Sequence, residues 1–140
     1  MEDSPITSIE NRISHAEEDD QAVLRSLHGD IMQRQFYHDS EIYGTVDFIC
    51  GDATAVFQNC LIEARTPMAR QYNTITAQHR ELESLATGIV LQNCTIKATR
   101  DLKKLNNVTT FLGRPWGIFS RTVIMESYID NLIDPKGWVE

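Results

Sequence analysis

Long apolar runs are missing from this chain. None of its 140 residues falls in an uninterrupted apolar stretch of about 18 or more, the length that marks a membrane-spanning helix, so no membrane partner is expected. Positive charge is also scarce. Lys and Arg total 13 against 20 Asp and Glu, a formal charge of −7. Residues 1–20 carry seven acids and one arginine, −6 of that total, and leave −1 for residues 21–140. A nearly neutral body offers no basic face to nucleic acid, which is not expected as a partner. Cysteine is sparse and odd in number: Cys50, Cys60 and Cys94, with no C-x-x-C pair. A fully oxidised disulfide framework is excluded, and a zinc or thioredoxin-like centre has no support. Cys60 and Cys94 sit in apolar, strand-like text, where an inert buried thiol is the default. The first 20 residues lack the basic region and apolar core of a secretory signal.

What is present begins with an acidic arm, residues 1–20, expected to be solvated. Within it Ser4 and Pro5, followed by Ile6, Ile9 and Ile13 at helical spacing, predict a short amphipathic helix. From residue 35 onward the text repeats. Phe36-Tyr37-His38-Asp39-Ser40-Glu41-Ile42 is followed by Val56-Phe57-Gln58-Asn59-Cys60-Leu61-Ile62, Val90-Leu91-Gln92-Asn93-Cys94-Thr95-Ile96 and Val123-Ile124-Met125-Glu126-Ser127-Tyr128-Ile129. The steps between Ser40, Cys60, Cys94 and Ser127 are 20, 34 and 33 residues. Self-similarity on this scale is the mark of a solenoid. The units are too short and β-branched for helical hairpins, so residues 21–140 are expected to form one all-β domain, a right-handed, single-stranded parallel β-helix. A 20-residue step is one bare coil, and the longer steps leave room for loops at 65–73 and 97–107 that build groove walls. An antiparallel sandwich is the alternative. Asn59 and Asn93 at equivalent positions are expected to bond along the stack. Of the two glycosylation sequons, beginning at Asn93 and Asn107, the first is expected inside the stack and only Asn107 is expected to accept a glycan, on an exported chain.

Three separated motifs carry the chemistry: Gly44-Thr45-Val46-Asp47-Phe48-Ile49-Cys50-Gly51, Ile75-Thr76-Ala77-Gln78 and Leu112-Gly113-Arg114-Pro115-Trp116. Asp47 lies in strand-like text that would aim its carboxylate from a rigid face. Arg114 offers a fork of donors able to hold a carboxylate through two parallel bonds. Trp116 offers a flat face for a sugar ring. In that order the motifs resemble the pectinesterases, which remove methyl esters from cell-wall pectin, over residues 21–23 and 33–140. The resemblance implies a truncated solenoid of the pectin lyase-like kind, methyl-esterified homogalacturonan as partner, a monomer, and a cell-wall or extracellular location. It implies no metal and no organic cofactor.

In that family two aspartates serve as nucleophile and general acid, an arginine holds the nucleophile, and glutamines line the oxyanion side. Carried over, Asp47 is the nucleophile, Arg114 its partner, and Trp116 and Gln21 contact substrate. Between Gln21 and Asp47 the family carries a Tyr-Gln-Asp motif whose Asp is the acid, and no Gln-Asp occurs there in this chain. The deficit is about one coil, roughly 20 residues. Asp30, in a His28-Gly29-Asp30 turn, and His38 are the remaining titratable candidates. Four departures accompany the gap: Cys50 replaces a phenylalanine and is expected to thin the aromatic wall of the groove, Asp52 replaces an asparagine and is expected to place a like charge near Asp47, His79 replaces a glycine, and Ser40 replaces a cysteine expected to pair with Cys60. The rival reading is a non-catalytic, pectin-binding or inactive relative. A calcium-dependent pectate lyase would share the solenoid but calls for clustered aspartates, which the strands do not show.

Overall fold

The computed structural model describes residues 7–8 and 34–139 as short strands joined by turns and irregular loops, with one 3-10 turn at Leu102–Lys104. Strand β1 is Thr7–Ser8, and β2 (Arg34–His38), β3 (Glu41–Gly44) and β4 (Val46–Gly51) make the first full coil. The second coil is β5 (Thr54–Gln58), β6 (Leu61–Ala64) and β7 (Asn73–Gln78); the third is β8 (Gly88–Gln92), β9 (Thr95–Ala98) and β10 (Thr110–Gly113). Strands β11 (Thr122–Met125) and β12 (Tyr128–Ile129) open a fourth. They stack into three sheets, ordered β1-β2-β5-β8-β11, β3-β6-β9-β12 and β4-β7-β10, with every described pairing parallel. This is a right-handed parallel β-helix, as the repeat implies.

Register follows the repeat. Glu41 pairs Leu61, Leu61 pairs Thr95 and Thr95 pairs Tyr128, reproducing the 20-, 34- and 33-residue steps. A parallel stack puts like residues over like, so the core is a set of ladders. Tyr37, Phe57 and Leu91 form one and Ile42, Ile62 and Ile96 another, all buried, and the Tyr37 and Phe57 rings stack at 4.6 Å. Burying each such side chain contributes about 1.5–3 kcal/mol, which makes the ladders the main source of cohesion.

Each coil turns its first corner through a residue of left-handed conformation: Asp39, Asn59, Asn93 and Glu126, with φ of 50°, 56°, 51° and 53°. Asn and Asp tolerate this region best. The asparagine stack forms, Asn93 Nδ2 donating to Asn59 Oδ1 at 2.6 Å, but on the outside. Both residues are exposed, so Asn93 is not inside the coil as expected; a corner residue at positive φ turns its side chain out of the stack. Behind the corner, Cys60 and Cys94 are buried free thiols one rung apart. Each thiol donates to backbone carbonyls, Cys60 to Tyr37 and Gln58 and Cys94 to Phe57 and Gln92, and the interaction between the two sulfurs holds Cys60 below the usual thiol range and Cys94 above it. Of the helix expected at residues 6–13, the two described residues are instead extended, Thr7 pairing Gln35 and Ser8 pairing Phe36. The remainder of the acidic arm lies outside the described residues.

Gly113 shows how tightly β10 meets β7. A Cβ there would stand 2.2 Å from Thr76 Oγ1 and 2.5 Å from the Thr76 carbonyl oxygen. Gly113→Ala is expected to destabilise the fold by about 1–3 kcal/mol through overpacking. A urea midpoint equal to that of the parent chain would contradict this packing.

Candidate active site

Asp47 is a strand residue with an irregular backbone. Its φ is +53°, and the β4–β7 register slips between Val46 and Ile49. A bulge of this kind bends the strand and re-aims a side chain. The flanking Phe48 and Ile49 are each 2% exposed and hold the irregular segment in the core, and Gly44 leaves room for Phe48, whose Cβ would lie 2.3 Å from any Cβ at 44. Strain at a non-glycine residue costs about 1–3 kcal/mol and persists where the surroundings enforce it.

The carboxylate so placed is held from two sides. Thr74 donates its hydroxyl to Asp47 Oδ1 at 2.6 Å and accepts the Asp47 backbone N–H at 2.8 Å. Arg114 Nε lies 2.9 Å from both carboxylate oxygens, and Arg114 Nη2 donates to Oδ2. The Asp47 side chain is only 7% exposed against 39% for Arg114, so a buried carboxylate meets a cation open to solvent. The hydrogen bond to Asp47 raises Arg114 above its already high ordinary value, and it stays charged.

Backbone pairing puts Arg114 and Trp116 in place. Past the end of β10 the chain continues along β7: Arg114 N–H donates to the Thr76 carbonyl and Trp116 N–H to that of Gln78, each at 3.0 Å. Pro115, which has no N–H, falls between these two donors, where the pairing asks nothing of it. The Arg114 guanidinium carbon then stands 5.8 Å from the centre of the Trp116 ring. Trp116 keeps 38% of its surface exposed. Arg114 also lines a cavity of about 400 Å³, together with Thr76, Gln78, Pro115 and Trp138 among others. Trp138 thus shares a cavity wall with Arg114. At the start of β7 and β10, Tyr72 and Phe111 meet edge to face at 5.6 Å.

The supporting loops are pinned by buried polar groups. Gln78 is 1% exposed; its Oε1 accepts the N–H groups of Arg80 and Arg121 at 3.1 and 2.9 Å. Arg80 is 3% exposed and donates to the carbonyls of Leu85, Phe119 and Glu83. Five donors on a planar fork can tie several loop carbonyls at once, a task a lysine could not perform.

One expectation needs correction. Asp52 is not a neighbour of Asp47: it sits just past the far end of β4, roughly 16 Å along a strand of this length, and accepts from Gln78 Nε2 and Thr87 Oγ1. His79, where the family has a glycine, is not among the positive-φ residues. His38 is exposed, pairing with Asp39 and Asn59. Gln21 and Asp30 lie outside the described residues. Thr74 was missed. One coil separates it from Asp47, so the repeat could have pointed to it, but only the pairing of Val46 with Thr74 turns that spacing into a contact.

The class these features define is a parallel β-helix that carries a buried carboxylate gripped by a bidentate arginine, with a tryptophan ring beside the guanidinium. The Pectinesterase family profile matches residues 26–140. Probable pectinesterase/pectinesterase inhibitor 25 of Arabidopsis thaliana is 56% identical over 108 residues, 76% of this chain and 17% of that protein. Pectinesterase 2 of Citrus sinensis is 53% identical over 109 residues, 77% of this chain and 21% of its own. Among solved structures, pectin methylesterase from carrot superposes with a TM-score of 0.76 at 49% identity, covering 77% of this chain and 34% of that one. The Aspergillus niger pectin methylesterase gives 0.65 at 33% identity over the same shares. This chain belongs to the pectinesterase family. It spans about a fifth of the length of the curated relatives and a third of the solved structures.

Proposed function

We propose that this protein acts on methyl-esterified homogalacturonan, releasing methanol and leaving pectate, with Asp47 as nucleophile. The observation that carries this reading is the arrangement of Asp47 with Arg114 and Thr74. The carboxylate is buried and gripped by a bidentate guanidinium, which in turn stands 5.8 Å from the ring centre of a partly exposed tryptophan. In the proposed reaction Asp47 attacks the ester carbonyl and the carbonyl π pair moves to its oxygen; collapse breaks the C–OCH3 bond and expels methoxide, which takes up a proton and leaves as methanol, and water then cleaves the acyl-enzyme, returning the Asp47 carboxylate. Arg114 orients the carboxylate, and Trp116, with Gln21, contacts the sugar. The chemistry uses side chains alone, without metal or organic cofactor. A cell-wall or extracellular setting, a monomeric chain, and no nucleic-acid or membrane partner complete the proposal, supported by the family membership and the acidic charge.

The second reading, a groove that binds pectin without turnover, is favoured by the lack of a Tyr-Gln-Asp sequence between Gln21 and Asp47. Methanol release from esterified pectin, set beside pectin binding, separates the two. Turnover that Asp47→Asn removes supports the esterase; binding without turnover supports the rival. Under either reading Trp116→Ala is expected to weaken pectin binding about five- to tenfold, the value of one stacked ring. Equal affinity would remove Trp116 from the groove.

A further inference from the structure

Beyond Trp116 the groove wall continues to a histidine that the esterase mechanism does not use. The His79 ring lies 6.1 Å from the Trp116 ring, centre to centre, with the planes at 83°. That separation is comparable with the span of one pyranose unit. The backbone holds both residues: His79 N–H donates to the Gly51 carbonyl and Trp116 N–H to the Gln78 carbonyl, each at 3.0 Å. The imidazole is held by a carboxylate, Nε2 lying 2.8 Å from Glu81 Oε1, while both side chains stay open to solvent, at 41% and 53% exposure. Among the described residues, Nδ1 has no hydrogen-bond partner.

We propose that His79 is a specificity-determining residue, contacting the galacturonate unit next to the one stacked on Trp116 and favouring a free carboxylate over a methyl ester there. This rests on the reading of the groove as a pectin site. The chemistry follows from the two states of the ring. With Nε2 turned to Glu81, neutral His79 presents Nδ1 as an acceptor, suited to a sugar hydroxyl. Protonated, it presents Nδ1–H as a charged donor, suited to a carboxylate. Imidazole changes state between about pH 5 and 8, whereas a galacturonate carboxylate is ionised throughout that range. Selection for the free acid therefore strengthens as pH falls.

The other charged groups near this wall do not supply the same switch. Arg80 is buried and turned to the carbonyls of Leu85, Phe119 and Glu83. Arg114 is committed to Asp47 on the other side of Trp116. Asp52 is bonded to Gln78 and Thr87. Glu81 faces His79 itself, and Glu83 is an exposed carboxylate two residues further on.

The test is a fluorescence titration of the full chain with two trigalacturonides, one free and one fully methyl-esterified, at pH 5.5 and pH 8. For the parent chain, preference for the free acid is expected to grow about three- to fivefold on going to pH 5.5, the worth of one partly exposed charged contact. His79→Gly should lose that pH dependence and still bind both ligands. His79→Lys should prefer the free acid equally at both pH values. A parent-like pH dependence in His79→Gly overturns the inference alone, since the Asp47-dependent methanol release is scored separately. Failure of the parent chain to bind either trigalacturonide overturns it together with the pectin-site reading.

Discussion

Replacing Arg114 with methionine is expected to destabilise the fold by about 2–4 kcal/mol and to remove detectable ester hydrolysis. Taking away one partner of a buried ion pair costs about 3–5 kcal/mol, because the remaining charge is left without compensation. Asp47 is the buried partner at 7% side-chain exposure, and its remaining side-chain partner would be the Thr74 hydroxyl. The expected cost sits about 1 kcal/mol below that range because Arg114 is itself 39% exposed, so water can enter where the guanidinium stood. Arg114→Lys should recover little, since a point charge cannot bond both carboxylate oxygens in one plane. A double-mutant cycle with Asp47→Asn isolates the pair, and the doubly substituted chain should be more stable than Arg114→Met alone. Denaturation midpoints measure both values. An Arg114→Met midpoint equal to that of the parent chain would show that this contact does not hold the site together.

The same strand that holds Arg114 explains why much of the fold was legible in the text. In a parallel solenoid each residue sits over its counterpart one coil earlier, so repeat spacing and strand register are the same quantity. The steps from Ser40 to Cys60, Cys94 and Ser127 therefore predicted the pairing of Glu41, Leu61, Thr95 and Tyr128. The juxtaposition of Asp47 and Arg114, 67 positions apart, follows from motif content and coil count. What could not be seen was set by local backbone angles. Asn93 occupies text that is apolar on both sides, yet its left-handed corner turns it outward. Asp52 is five residues from Asp47, but an extended strand turns that short interval into distance. Asp47 owes its direction to a bulge that no alternation pattern announces, and Thr74 looked like one more β-branched strand residue. Side chains whose job depends on register were predictable; those whose job depends on φ at a single position were not.

Ester hydrolysis by this chain is expected to rise with the concentration of a small general acid, such as imidazolium buffer at constant pH and ionic strength, and to vanish in Asp47→Asn. Once Asp47 has attacked, the methoxide must receive a proton as it departs. Among the described residues, the side chains bonded to the Asp47 carboxylate are Thr74 and Arg114, neither a useful donor near neutral pH. General-acid assistance is worth about 10²–10⁴-fold, and an oxyanion donor about 10²–10³-fold. A chain lacking both would turn over about 10⁴–10⁷ times more slowly than a relative possessing them, even with its nucleophile correctly held. An acid diffusing into an open groove replaces part of the first loss and none of the second, so a roughly tenfold rise at high buffer concentration is the expected scale. A fast rate indifferent to buffer would mean that the chain supplies its own proton donor. In that case Asp30→Asn identifies the source: an acid at Asp30 predicts that the buffer-independent rate falls with the substitution and that external acid then restores it.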